Sequence, residues 1–153
     1  MTHSKYIELA YQEAQKAFQK DEVPIGCVIV NSQGIVIAST HNQKETNKLA
    51  TEHAELIAIR EASRKLENWR LIGCSIYVTI EPCLMCVGAL ASCRIENIYY
   101  GWNEPKFGAL HSQIQFDAIN YGNHRFKETL DLSHEPSKEI MSDFFLKKRL
   151  KNL

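Results

Sequence analysis

The sequence predicts an α/β domain built on a mixed β-sheet. Two β-rich runs flank a turn near the start, and two strand–helix–strand passages follow. Amphipathic helical stretches open and close the chain. Strand–helix–strand passages within one sheet imply right-handed crossovers. At 153 residues, 44% hydrophobic and 24% charged, the chain can fill one core and is too short for two ordinary domains. Residues 1–153 are therefore expected to form a single domain.

Ile7, Ala10, Tyr11, Ala14, Ala17 and Phe18 recur at helical spacing and predict an amphipathic first helix. Residues 25–30 and 35–39 are β-rich, and Asn31-Ser32-Gln33-Gly34 between them predicts a hairpin turn. Residues 42–49 are polar and are expected to form a loop. Leu56, Ile59, Ala62 and Leu66 suit a helix over 52–66, with Thr51 as its N-cap. Residues 75–80 predict a strand, and Pro82 suits the first position of a helix that continues over 84–93. Residues 95–100 predict another strand. Residues 101–123 are expected to form an active-site loop with short helical pieces, and 126–130 a short edge strand. Ile140, Met141, Phe144, Phe145 and Lys148 mark a C-terminal helix.

Lys+Arg and Asp+Glu balance at 18 each, so no global charge advertises a polyanionic partner. That balance leaves room for a local basic face. Lys138, Lys147, Lys148, Arg149 and Lys151 enrich the last helix in cations, against Glu139 and Asp143. No run of about 18 apolar residues occurs, so no membrane span is expected. Five cysteines without a secretory signal argue for a reducing, cytoplasmic setting rather than a disulfide framework. Cys27, Cys74 and Cys93 lie in apolar runs and read as buried small hydrophobes.

Chemistry concentrates in His53-Ala54-Glu55 and Pro82-Cys83-Leu84-Met85-Cys86. His53, Cys83 and Cys86 are three soft zinc ligands, one fewer than zinc normally takes, so a fourth position is left for water. Bound zinc lowers the pKa of that water to about 7, and Glu55 is the adjacent general acid/base. His53 and Glu55 are two apart and would point away from each other inside a helix. They share a site only at a helix start, where side chains of the first turn fan around the axis. A Cys-x-x-Cys pair alone also suits a dithiol oxidoreductase or a non-catalytic zinc module.

With His-x-Glu upstream and proline before the first cysteine, the sequence resembles the zinc-dependent cytidine deaminase superfamily. Within it, the sequence resembles the tRNA-specific adenosine deaminases. The likeness runs through Glu22-Val23-Pro24-Ile25-Gly26, Asn42, His53-Ala54-Glu55, Leu71-Ile72 and Tyr77-Val78-Thr79. It continues through Glu81-Pro82-Cys83, Met85-Cys86, Gly108-Ala109, Asn123-His124-Arg125 and Ser142-Asp143-Phe144-Phe145. It implies a three-layer α/β fold, with a mixed five-stranded sheet and helices on both faces. It implies one Zn2+ per subunit on His53, Cys83 and Cys86, with Glu55 as proton shuttle. The implied reaction is hydrolytic deamination of adenosine to inosine at the wobble position of a tRNA anticodon loop, by a homodimer.

Substrate contacts are implied at Asn42, Ala54, Glu104, Lys106, His124, Arg125, Phe145 and Arg149. Phe107, Phe144 and Phe145 are candidates for stacking on splayed bases. The chain departs from the pattern at Glu52, which adds negative charge before the histidine, at Trp102, often a small residue, and at Glu104, commonly Asp. A free nucleobase or nucleoside of guanine or cytosine type is the alternative substrate.

Overall fold

The computed structural model describes residues 2–152. Helix α1 (Thr2–Gln19) leads into a hairpin of β1 (Gly26–Val30) and β2 (Val36–His41), turned at Asn31–Gly34 as the sequence predicts. Asn31 Oδ1 accepts from the amides of Gln33 and Ile35, which fixes that turn. A one-turn helix, α2 (Lys44–Asn47), then occupies part of the expected loop. Helix α3 (Ala54–Leu66), strand β3 (Ser75–Ile80), helix α4 (Leu84–Ser92) and strand β4 (Asn97–Trp102) follow. After a 3-10 turn at Phe116–Ala118, β5 (Glu128–Asp131) and α5 (Glu135–Lys151) complete the fold.

The five strands make one mixed sheet in the order β2-β1-β3-β4-β5. β1 is antiparallel to both neighbours, and β3, β4 and β5 are mutually parallel. Strand periodicity assigns the two faces. Cys27, Ile29, Ile76, Val78, Ile98 and Tyr100 face α3 and α4 and meet Ala58, Val87 and Leu90. Val28, Val30, Tyr77 and Tyr99 face the other way and meet Tyr6 of α1. Helix α5 packs beside α1, with Phe18 against Phe144 and Tyr11 against His134. The expected three-layer mixed sheet is therefore present, and Cys27, Cys74 and Cys93 are buried in its core.

Two close approaches set where the helices cross the sheet. Gly26 lies against the backbone of Ala10 and Ala14, leaving no space for a Cβ. Gly101 likewise faces Ser137 of α5. Since β1 begins at Gly26, the last turns of α1 project beyond the end of the sheet where β2, β3 and β4 finish.

Beneath that overhang, Glu13 is only 6% exposed and bonds His41 at 2.8 Å and Lys16 at 2.6 Å. The His41 hydrogen bond, helped by Lys16, outweighs burial and holds the Glu13 carboxyl down to about 2, against an ordinary 4.5. The folded protein then binds fewer protons than the unfolded chain between those values. Glu13 thus contributes stability above about pH 4.5 that is lost as the pH falls toward 2, on the order of 3 kcal/mol. Glu13→Gln is expected to lower Tm at pH 7 and to flatten its fall between pH 5 and 3. An unchanged Tm profile would rule this contribution out.

Candidate active site

Both halves of the motif stand where strands end and helices begin, at the carboxyl end of the sheet where open α/β folds place ligands. The helix starts differ from the expected ones. His53, not Thr51, is the N-cap of α3, with extended backbone at φ −74° and ψ 149°. The Glu52 carbonyl is held by the amide of Gln43, so the first helical bond runs from Ile57 N–H to the His53 carbonyl. Pro82 is not the first residue of α4: Cys83 is the N-cap and Leu84 the first helical residue, and the Pro82 carbonyl accepts from Ala109 N–H instead. Cys83 and Cys86 are therefore N-cap and N3, the two positions whose side chains meet across a helix start.

The result is a tight triad. Cys83 Sγ lies 3.6 Å and Cys86 Sγ 3.5 Å from His53 Nδ1, and the three ligand atoms lie within 4.8 Å of one another. Tetrahedral zinc, with Zn–S near 2.3 Å and Zn–N near 2.0 Å, requires an S···N separation of about 3.5 Å. The donor set and its spacing fit that ion. A hydrogen bond from Cys86 holds the Cys83 thiol down to about 4, and the same bond, with burial, raises Cys86. Both helix N-termini favour a thiolate at this position. His53 is raised, chiefly by its hydrogen bond to Cys83.

Glu55 is 4% exposed in the first turn of α3. Burial first, and the Cys83 charge second, push its carboxyl up to about 7. It lines a pocket of about 150 Å³ with Val23, Ile25, Asn42, Lys44, His53 and Ala54. A carboxyl raised toward neutral pH on the wall of a pocket, beside three side chains that could hold a metal ion, can move protons to and from a bound substrate.

The sequence pattern of the family described as MafB19-like deaminase matches residues 1–149. A tRNA-specific adenosine deaminase of Streptococcus pyogenes serotype M1 is 41% identical over 140 residues, 92% of this chain and 81% of that protein. The chain belongs to the tRNA-specific adenosine deaminases. A solved structure from a study of A-to-I editing by tRNA:A34 deaminases at the wobble position superimposes with a TM-score of 0.85 at 40% identity. It covers 90% of this chain and 99% of its own. A guanine deaminase of Bacillus subtilis superimposes less closely, with a TM-score of 0.64 at 29% identity, over 79% of this chain and 87% of its own.

In this deaminase the other expected contacts are dispersed. Asn42 and Ala54 line the Glu55 pocket. Asn42 also braces its own loop, donating to the Val23 carbonyl and accepting from Lys44 N–H. Glu104 turns its carboxylate onto the amides of Lys106 and Phe107, capping the loop that carries the exposed Lys106. Phe145, 43% exposed, and the exposed Arg149 project from α5. His124 bonds the Ile95 carbonyl, and Arg125 Nη1 donates to the carbonyls of Tyr121, Gly122 and His124. That turn sits beyond the last turn of α4, away from the triad at its start. Glu52 does not leave the expected free negative charge: Arg60 binds its carboxylate twice, at 3.1 and 3.2 Å, and Asn47 once at 2.9 Å.

Two carboxylates that sequence reasoning left out of the site organise its surroundings. Glu22 is fully buried and accepts from the amides of Glu45 and Thr46 and the Thr46 hydroxyl, pinning α2 at the pocket edge. Glu81 is 3% exposed and accepts from the amides of Glu104, Leu110, His111 and Ser112 and from the Ser112 hydroxyl. Burial would raise its pKa, but these hydrogen bonds prevail and hold it below the ordinary carboxylate range. Gly108 packs so closely on Glu81 that a side chain there would collide with the carboxylate. The available signal was Glu81 beside the cysteine motif, with Gly108 downstream.

Proposed function

We propose that this chain, over 1–153, deaminates adenosine to inosine at the wobble position of a tRNA anticodon; its relatives are named tRNA-specific adenosine deaminases, and the A-to-I, wobble-position detail follows the similar tRNA:A34 deaminase structure. The observation that carries the reading is the buried Glu55 carboxyl in an apolar pocket beside the His53, Cys83 and Cys86 group. We assign those three residues as the ligands of one Zn2+ per chain. The ion supplies Lewis-acid activation of water when bound. Glu55 takes one proton from the attacking water to the adenine ring nitrogen, then carries the second, from the hydroxyl so formed, to the departing amine, so that water and adenosine become inosine and ammonia. Asn42 and Ala54 border the base. Lys106, Phe145 and Arg149 serve the RNA outside the pocket, and Glu104 acts through the loop it caps.

His124 and Arg125 fit the same reading only as a more distant contact. The proposed setting is the cytoplasm, where tRNA is found; among the described residues no helix is long and apolar enough to cross a membrane. A second copy of the chain is proposed to cover the outer side of α4, where Leu84 is 51% and Met85 39% exposed. Light scattering should then report twice the 17.5 kDa chain mass.

The substrate is tested by incubating the protein with an anticodon stem-loop carrying a wobble adenosine and, separately, with free adenosine, guanine and cytidine. Inosine is expected in the RNA and no product from the free compounds. Guanine turnover with untouched RNA would replace this reading with that of a free-base deaminase.

A further inference from the structure

A groove of about 230 Å³ lies beside the deaminase site and plays no part in the chemistry above. Its floor is Ile80 and Trp102, paired at the ends of β3 and β4. The Trp102 carbonyl accepts from Glu81 N–H, and Cys83 is two residues further on. The groove therefore opens at the same end of the sheet as the metal group. One wall is the loop at Glu104 and Pro105, and the other is α5 at Lys138, Met141 and Ser142.

Two observations say what this groove takes. Trp102 is partly exposed, and Lys138 Nζ stands 4.9 Å from its ring centroid. A partly exposed indole faced by an exposed ammonium is available to a nucleobase, because base–aromatic stacking outweighs an exposed cation–π contact. The displaced ammonium is then free for the phosphate of the same nucleotide. Glu104, the carboxylate on the wall, is already turned onto its own loop amides.

The second observation is a stripe on α5. Lys138, Ser142, Phe145 and Arg149 follow at intervals of four, three and four residues and so share one side of the helix. This stripe starts at the groove and runs toward the end of α5 that Lys148 ties to Asp21 at 3.1 Å. Asp21 leads directly into Val23 and Ile25 of the Glu55 pocket. Groove, stripe and pocket border the same end of the molecule.

We propose that this groove is a second nucleotide subsite. It holds a base of the RNA other than the reacting adenosine, stacked on Trp102, with its phosphate on Lys138. The inference rests on the RNA reading of the substrate. Trp69 is the other of the two tryptophans, so Trp69→Phe leaves Trp102 as the sole indole emitter. In that protein, saturating anticodon stem-loop is expected to quench the emission by roughly half through base stacking, and free adenosine to leave it unchanged.

Trp102→Ala and Lys138→Glu are each expected to raise the KM for the stem-loop about tenfold, with a far smaller change in kcat. Trp102→Phe, which keeps an aromatic face, should restore most of the loss. Emission that RNA does not move, or a KM within about twofold of the parent in both variants, would overturn the subsite. Emission is read without turnover. Quenching without inosine would therefore refute the substrate reading while leaving the groove as an RNA site. Inosine without quenching would do the reverse.

Discussion

Glu55→Gln is expected to lower inosine formation by a factor of about 10² to 10⁴, the usual contribution of a positioned acid/base. Glutamine matches glutamate in size, and the site is 4% exposed, so the pocket should keep its shape. What disappears is the only carboxyl lining that pocket among the described residues, and with it the proposed route for protons from water to the leaving amine. The metal group of His53, Cys83 and Cys86 is untouched, so zinc content should remain at the parent value. Stability should hold or rise slightly, because a carboxyl pushed up to about 7 by burial is a local cost of folding. A dithiol oxidoreductase would show the opposite pattern, tolerating Glu55→Gln and failing with Cys83→Ser. Retention of more than about a tenth of the inosine-forming rate would remove Glu55 from the role of shuttle.

The largest effect on stability is expected at Glu81. Glu81→Ala strips one acceptor group from four amides and a hydroxyl gathered around it. Each buried donor left unpaired costs about 1–3 kcal/mol, and the group does not add linearly. A net loss of about 3–5 kcal/mol is the expected scale, which is a large share of a domain's whole stability. For a chain of this size that corresponds to a fall in Tm of about 10 °C or more. The Ala109 amide also bonds the Pro82 carbonyl, immediately before Cys83. Zinc should therefore be held more weakly as the loop over 104–112 loosens. Glu81→Gln is expected to fall in between, because its amide group would point a donor at other donors. A Tm shift under about 2 °C for Glu81→Ala would show that the loop is held by something else.

These two carboxylates differ in how visible they were before the structure. Glu55 was legible because its chemistry is local: a histidine two residues away demands a helix start, and the cysteine pair demands another. The strand positions and the hairpin were legible for a similar reason, since turn chemistry at Asn31–Gly34 and apolar runs of strand length are short-range signals; the order of strands in the sheet was not read. Helix boundaries were less so. The Thr51 and Pro82 expectations each missed by the same mechanism, a carbonyl captured from outside the helix. Glu52 is taken by Gln43 and Pro82 by Ala109, and neither partner can be read from the helix's own sequence.

The same distance hid Glu22 and Glu81, whose partners lie 23 to 31 residues along the chain. Glu52 looked like a free charge because Arg60, two turns down α3, could not be assigned to it from spacing alone. Arg125 looked like an RNA donor, although one side of its guanidinium is committed to carbonyls of its own turn.

The central claim is that the His53, Cys83 and Cys86 group, loaded with one zinc, makes Glu55 a deaminating residue. It is tested most directly by stripping the protein of metal and titrating zinc back while following inosine in an anticodon stem-loop. Activity should be absent without metal, return in proportion to added zinc and level off at one ion per chain. Cys83→Ser should neither bind that ion tightly nor recover. Inosine formed by the metal-free protein, or full recovery in Cys83→Ser, would contradict the account.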